Sequence, residues 1–364
     1  MSAHSYLLII SIFLITSGVS GLTAQENILG NTENSKPKNI VLLIGDGMGL
    51  SEVSASQFYN KTTTNFERFS TIGLIKTSSS NELITDSAAG ATAFSTGIKT
   101  YNGAIGVDKN GAATETIVEQ LVNKGYATGL IATSSIVHAT PASFYAHAKS
   151  RRLYEDIATF LPYSKIDFLA GGGLKFFNNR EDGNDLFSEF KKNGYQVHTK
   201  ELPKSVSKKK QVILLEEDAM PKMLDGRGDF LPNATKLALS ALSKNDTGFF
   251  LMIEGSQIDW GGHDNDADYL ISELLDFDKT IGIVLDFSQK NGETLVIVTA
   301  DHETGGFTLS ADRGDYNKIK PKFSTSGHSA TMVPVFAEGP NASLFGGIYE
   351  NTEIYHKIKS LLVE

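Results

Sequence analysis

Four short apolar runs, each ending in glycines or chemically active side chains, constrain the fold more than any other feature of this chain. Residues 39–44 close on Gly45-Asp46-Gly47-Met48-Gly49, residues 127–133 lead to His138-Ala139-Thr140, residues 248–253 end in Glu254, and residues 294–300 deliver Asp301-His302-Glu303. An unbroken apolar run, as opposed to an alternating one, suits a strand buried on both faces, and such strands belong to parallel sheets covered by helices. Helical signals fall between the runs. Thr114 can cap a helix through Ile117, Leu121 and Val122 that stops at Gly125, and Pro232 opens one through Leu237, Leu239 and Leu242. Leu270, Leu274, Phe277, Ile281, Val284 and Leu285 recur at helical spacing before Gly292. The pattern predicts an α/β fold, a three-layer sandwich whose largely parallel central sheet is flanked by helices, over residues 39–364.

In an open parallel sheet the functional crevice lies beyond the carboxyl ends of the strands, so residues far apart in sequence meet at one edge. Here that edge gathers Asp46, His138, Thr140, Glu254, Asp301 and His302, with Asp259 and His263 just after Glu254, and His328 following Ser326-Gly327. Carboxylates crowded together repel one another unless cations neutralise them, which predicts divalent metals. Asp/His sets suit zinc; an Asp, Glu, Thr and water set suits magnesium. Gly261-Gly262 between Asp259 and His263 reads as a loop.

Asp86-Ser87 precedes the small residues 88–93. Taken alone the pair is an ordinary helix cap in front of a tightly packed helix. Beside metals, Ser87 acquires a second reading, because coordination and a helix N-terminus both favour the alkoxide over the alcohol. Asp86 reads as its structural neighbour.

The remaining sequence narrows the class of function. A formal charge of −9 disfavours nucleic acid as a partner, and Lys208-Lys209-Lys210 reads as a solvated loop. The chain has no cysteine, so thiolate-bound zinc and disulfides are both excluded. Residues 1–24 read as a signal peptide, with an apolar run too short to span a membrane, and residues 25–38 as a flexible lead-in. Export to the periplasm or the medium is expected. Residues 178–229, polar and lysine-rich with one clear strand at 211–215, read as a surface insertion. Gly45-x-Gly47 invites a dinucleotide reading, but Leu50 replaces the third glycine.

The signature Thr85-Asp86-Ser87-Ala88-Ala89, with Gly45-Asp46-Gly47, Glu254, Asp259, His263, Asp301-His302-Glu303 and Gly327-His328 in that order, resembles the alkaline phosphatases from about residue 39 to the end. The resemblance implies hydrolysis of phosphate monoesters through a phosphoserine on Ser87, with inorganic phosphate as a product. It implies one zinc on Asp259, His263 and His328, a second on Asp46, Asp301 and His302, and a magnesium shared by Asp46, Thr140 and Glu254. Arg151 matches the arginine that grips two phosphate oxygens, with Arg152 as the alternative if the register slips. His138 stands where many bacterial members carry Asp, and Trp260 where many carry Lys or His. Both are candidate neighbours of the site. About 25 residues separate His302 from His328, fewer than in larger members. A homodimer is expected by resemblance alone. Two alternatives stay open: a phosphodiesterase of the same superfamily, and an exported phosphate- or metal-binding protein without catalysis. A sulfatase is excluded because no Cys/Ser-x-Pro-x-Arg stretch occurs.

Overall fold

The computed structural model describes residues 35–363, so the expected signal peptide and most of the lead-in lie outside the described residues. The strands are β1 (Asn39–Gly45), β2 (Thr71–Lys76), β3 (Ala127–Ser135), β4 (Phe168–Gly172), β5 (Tyr195–His198), β6 (Lys210–Leu214), β7 (Phe249–Gly255), β8 (Thr294–Thr299), β9 (Glu303–Thr304), β10 (Thr308–Asp312), β11 (Asp315–Lys322), β12 (His328–Ser329), β13 (Val333–Glu338) and β14 (Gly347–Glu350). The main helices are α1 (Leu50–Tyr59), α2 (Ser87–Thr96), α3 (Ile117–Asn123), α4 (Leu186–Lys192), α5 (Phe230–Leu242), α6 (Gln257–His263), α7 (Ala267–Asn291) and α8 (Glu353–Leu362).

Ten strands form one sheet in the order β14-β2-β13-β8-β1-β7-β3-β4-β6-β5. Every pairing is parallel except those of β13, which runs against both β2 and β8. The mostly parallel α/β sandwich expected from the apolar runs is therefore what the chain adopts. Strands β1, β7 and β8 are buried along their whole length, which is why they carry no alternation. Asn39 fixes their starting register, donating from Nδ2 to Thr294 Oγ1 at 3.1 Å and accepting from Phe249 N at 3.2 Å. The ladder then aligns Ile44 with Glu254 on one side and Thr299 on the other, so Asp46 and Asp301 each leave the sheet two residues past an aligned pair.

Several local expectations shift. The cap of α3 is Thr116, not Thr114. Its side chain accepts from Glu119 N while Glu119 reaches back to Thr116 N, a reciprocal pair that Thr114 lacks. Helix α5 begins at Phe230, two residues before Pro232. The stretch 178–229 is more than a surface insertion: it supplies α4, the edge strand β5 and its neighbour β6, and four of the five β6 residues are buried. Its polar character fits an edge, where one side of the strand meets solvent. Lys208 and Lys209 are exposed, as expected, but Lys210 is the first residue of β6. Among the described residues no helix is long and apolar enough to cross a membrane.

Candidate metal centre and nucleophile

The carboxyl edge of the central strands collects the expected side chains into one buried cluster. Asp46, Glu254, Asp301 and His302 are all 0 % exposed. Asp46 sits in the tight turn after β1, and Gly47 behind it has φ +74° with Asp259 Cα only 2.7 Å from where a Cβ would stand, so a side chain fits here neither by conformation nor by space. Gly47 N also donates to Asp301 Oδ1 at 3.2 Å, tying the two strand ends together.

Asp259 and His263 do not lie on a loop. They occupy α6, four residues apart on one face, with His263 Nε2 3.4 Å from Asp259 Oδ1. Gly261 and Gly262 mark close packing and not flexibility: an added Cβ on Gly261 would meet Leu270 N at 2.5 Å, and one on Gly262 would meet Thr304 O at 2.9 Å.

The imidazoles carry a clear signature. His263 Nδ1 donates to Ser326 O at 2.7 Å and His328 Nδ1 donates to Thr85 O at 2.8 Å. A carbonyl can only accept, so both Nδ1 atoms are protonated and both Nε2 atoms of the neutral rings present lone pairs. Those two Nε2 atoms face each other at 3.1 Å, and His328 Nε2 lies 3.6 Å from Asp259 Oδ1. Two imidazole nitrogens and a carboxylate oxygen converging in this way make the donor set of a cation site. Backbone-oriented imidazoles are likewise how protein metal ligands are usually held.

Three sets of donor atoms lie within 4.8 Å of one another: Asp259, His302 and His328; Asp46, Asp301 and His302; and Asp46, His138 and Glu254. The second is the expected set. In the first, the structure draws His302 in beside Asp259 and His328, with the His302 and His328 rings stacked at 3.6 Å. In the third, His138 joins Asp46 and Glu254. Thr140 is fully buried there with its Oγ1 unpartnered, as are Asp46 Oδ2, Glu254 Oε1 and Asp301 Oδ2. Buried polar atoms left without partners are costly, and an ion would complete them.

The electrostatics agree. Burial, then the charges of Asp301, Asp259 and Glu254, push the Asp46 carboxyl well above its ordinary range, and burial raises Asp301 too. Burial lifts Glu254 to about 7 despite hydrogen bonds from Ser256 and Ser134. Burial drives His302 far below the usual imidazole value and His138 down to about 3, Arg151 adding to the latter. Acids forced up and bases forced down in one place mark a site closed off from water, where carboxyls and imidazoles alike are held toward their neutral forms.

Ser87 lies beside this cluster. It is not the cap of α2: Asp86 is, accepting from Ala89 N at 3.0 Å, and Ser87 is the first helical residue. The Ser87 hydroxyl is 3.3 Å from His302 Nε2 and 3.5 Å from Asp46 Oδ1. All ten residues of α2 are buried, which explains its run of small side chains. Arg151 approaches from the other side, donating from Nη1 to Asp86 Oδ2 at 3.0 Å and from Nη2 to His138 Nε2 at 3.3 Å. Arg152 is exposed. Trp260 meets the His138 ring edge-on at 5.9 Å.

Two contributors had no sequence signal. Thr304 Oγ1 donates to Asp259 Oδ1 at 2.5 Å and lies 3.2 Å from His302 Nδ1, linking two donor sets. Ser256 Oγ donates to Glu254 Oε2 at 2.7 Å. Neither residue type is distinctive at these positions.

Comparison with known proteins agrees with the geometry. The alkaline phosphatase family model matches residues 37–326. The chain is 37% identical to alkaline phosphatase 3 of Bacillus subtilis, over 94% of this chain and 92% of that protein, and 30% identical to the alkaline phosphatase of Escherichia coli, over 95% and 90%. It superposes on the alkaline phosphatase of the Antarctic bacterium TAB5 with a TM-score of 0.89 at 54% identity, covering 90% of this chain and 99% of that one. A histidine-to-aspartate variant of the TAB5 enzyme is described with magnesium bound. With a family model spanning most of its length and relatives matched nearly end to end, this chain belongs to the alkaline phosphatase family.

Proposed function

We propose that the protein hydrolyses phosphate monoesters through a covalent phosphoserine on Ser87. The observation that supports this most directly is the position of Ser87 Oγ, at the first turn of a buried helix and within 3.5 Å of both His302 and Asp46. Asp259, His263 and His328 would hold one zinc ion, Asp46, Asp301 and His302 a second, and Asp46, Thr140, Glu254 and His138 a third divalent ion, magnesium by its oxygen-rich donors. When bound, these ions supply positive charge against the serine alkoxide, the phosphoryl oxygens and the departing oxygen.

The chain's own groups do the rest. The N-terminus of α2, whose Ala89 N–H is taken by the Asp86 cap, would lend its partial positive charge to the Ser87 oxygen and the phosphoryl group it receives. Arg151 offers its guanidinium fork to two phosphoryl oxygens while Asp86 fixes its plane. Ser87 Oγ forms a bond to phosphorus as the ester P–O bond breaks and the alcohol leaves. Water then attacks the same phosphorus, and the Ser87 P–O bond breaks to give inorganic phosphate.

The test is Ser87→Ala. Turnover of p-nitrophenyl phosphate is expected to fall by roughly a thousandfold or more while phosphate binding persists. Acid quenching with labelled substrate should leave label on the unsubstituted protein and none on the variant. Near-normal turnover by Ser87→Ala, or a faster rate on bis-p-nitrophenyl phosphate than on the monoester, would overturn the reading. Export is proposed from the apolar run within residues 1–24, and N-terminal sequencing of the mature protein checks it.

A further inference from the structure

Helix α6 carries Asp259 and His263, yet little in its own sequence holds it in place. It has seven residues, Gly261 and Gly262 among them, and no side chain caps its start, because Ser256 Oγ is turned to Glu254. Each glycine costs about 1 kcal/mol of helix stability relative to alanine, and a helix this short does not persist on propensity. Its direction therefore comes from tertiary contacts.

Toward the carboxyl end those contacts are close packing, Gly261 against Leu270 and Gly262 against Thr304. At the amino end they converge on Gln257, the first helical residue, which is fully buried. Its Nε2 donates to Thr133 O at 2.9 Å and to Met220 O at 2.7 Å, and its Oε1 accepts from the Tyr269 hydroxyl at 2.7 Å. Carbonyls can only accept, so the two of them fix which end of the amide is nitrogen. A buried amide is tolerated when its groups are paired, and here both N–H groups and the oxygen are. Glu could not donate twice, Met could not donate at all, and Asn is shorter by one methylene.

The three partners come from three parts of the chain, each held by bonds of its own. Thr133 lies near the carboxyl end of β3, and its O also accepts from Met220 N at 3.1 Å. The segment after Met220 is fastened to α7: Met223 N donates to Glu273 Oε1 at 2.8 Å, and Arg227 Nη2 donates to Glu273 Oε2 at 2.5 Å and Asp276 Oδ2 at 2.9 Å. Tyr269, in the first turn of α7, is buried with Lys222 Nζ 3.9 Å from its ring centre.

We propose that Gln257 sets the direction of α6 and thereby the zinc set Asp259, His263 and His328. It is a positioning residue: none of its hydrogen bonds goes to a ligand. The inference rests on the metal reading given above. The set Asp46, Asp301 and His302 hangs from the ends of β1 and β8, so it does not depend on this anchor.

Zinc affinity, measured by competition against a chromophoric chelator well below the thermal midpoint, tests it. Gln257→Met keeps the length and loses the bonds. It is expected to weaken one zinc equivalent, the one His263→Ala abolishes, by about tenfold, and to leave the other unchanged. Tenfold is the low end for losing an outer partner, because Gln257 acts through the helix and not on a ligand atom. Tyr269→Phe, which removes one of the three bonds and keeps the ring, should weaken the same equivalent by about threefold, and it carries the test if Gln257→Met does not fold. Ile281→Ala opens a cavity under α7 at a fully buried residue and should lower the thermal midpoint with both affinities unchanged. Unchanged affinity in Gln257→Met, or in Tyr269→Phe, overturns the proposal. So does equal weakening of both equivalents, or a loss in Ile281→Ala as large as that in Gln257→Met. If the unsubstituted protein bound no zinc, the metal reading itself would fail and this inference with it, a result seen before any substitution is made.

Discussion

Asp86 performs two tasks with two different oxygens, and one substitution should separate them. Its Oδ1 accepts from Ala89 N and Gly103 N, both at 3.0 Å, while Oδ2 takes the Arg151 Nη1 hydrogen bond at 3.0 Å. Asn can keep the first oxygen in place, and Asn caps helices as well as Asp does. Its amide then turns two N–H groups toward a guanidinium that can only donate, so the tether to Arg151 is lost. Asp86→Asn should therefore cost no more stability than the tether itself, whereas Asp86→Ala, which removes the cap as well, should cost about 0.5–2 kcal/mol more. For phosphate, two effects oppose each other. Removing a carboxylate relieves repulsion of a dianion, but the guanidinium stands between the two and screens it. Against that, Arg151 would retain only its 3.3 Å contact to His138, and ordering a free arginine side chain costs up to about 2 kcal/mol. Both partners of the pair are about one-fifth exposed, which reduces the tether to about 1 kcal/mol, or about fivefold in affinity. Competitive inhibition by inorganic phosphate, read with p-nitrophenyl phosphate as substrate, should weaken about fivefold in both variants, while the thermal midpoint falls further in Asp86→Ala than in Asp86→Asn. Unchanged or tighter phosphate inhibition in Asp86→Asn would refute the positioning role, and a midpoint as low as that of Asp86→Ala would refute the separation of tasks.

Three other outcomes follow from residues around the site. His147 Nε2 meets Glu119 Oε1 at 3.1 Å; this hydrogen bond raises the His147 pKa, while Glu119 is lowered because its bonds from His147 and Thr116 outweigh burial. The His147 contribution is fully present below its ordinary 6.5 and is lost as pH rises through the raised value; that of Glu119 is lost as pH falls below 4.5. With zinc saturating, the urea midpoint should therefore drop between pH 6 and pH 8 by more in the unsubstituted protein than in His147→Gln, and equal drops would contradict the assignment. His138→Asp adds a charge beside Asp46 and Glu254, so magnesium affinity by titration calorimetry should rise by about tenfold or more, and unchanged magnesium dependence would count against a role in the third set. Trp260→Lys brings a cation beside His138 and should tighten phosphate inhibition; failure to do so would reduce Trp260 to simple packing.

What the sequence made legible was set by burial on both faces. Strands β1, β7 and β8 are enclosed on both sides, so their residues read as continuous apolar runs, and the first polar residue after each run marks the sheet edge. That is why Asp46, Glu254 and Asp301 could be placed together before any distance was known. Where a position answers to two demands, a single sequence shows only one of them. Gly261-Gly262 looked like a break in the chain, yet the glycines sit inside a helix because Leu270 and Thr304 approach too closely for a side chain. Asp86 looked like a neighbour of the cap and is itself the cap, its second oxygen turned to Arg151. Strand β5 alternates at a sheet edge and so resembled surface chain. Thr304 left no trace because its work depends on a partner 45 positions away, Asp259, which only the finished sheet brings near. The donors of a metal centre thus follow from strand ends, readable one strand at a time. The groups that aim those donors follow from packing between segments, and it is there that substitutions should change affinity without touching a ligand.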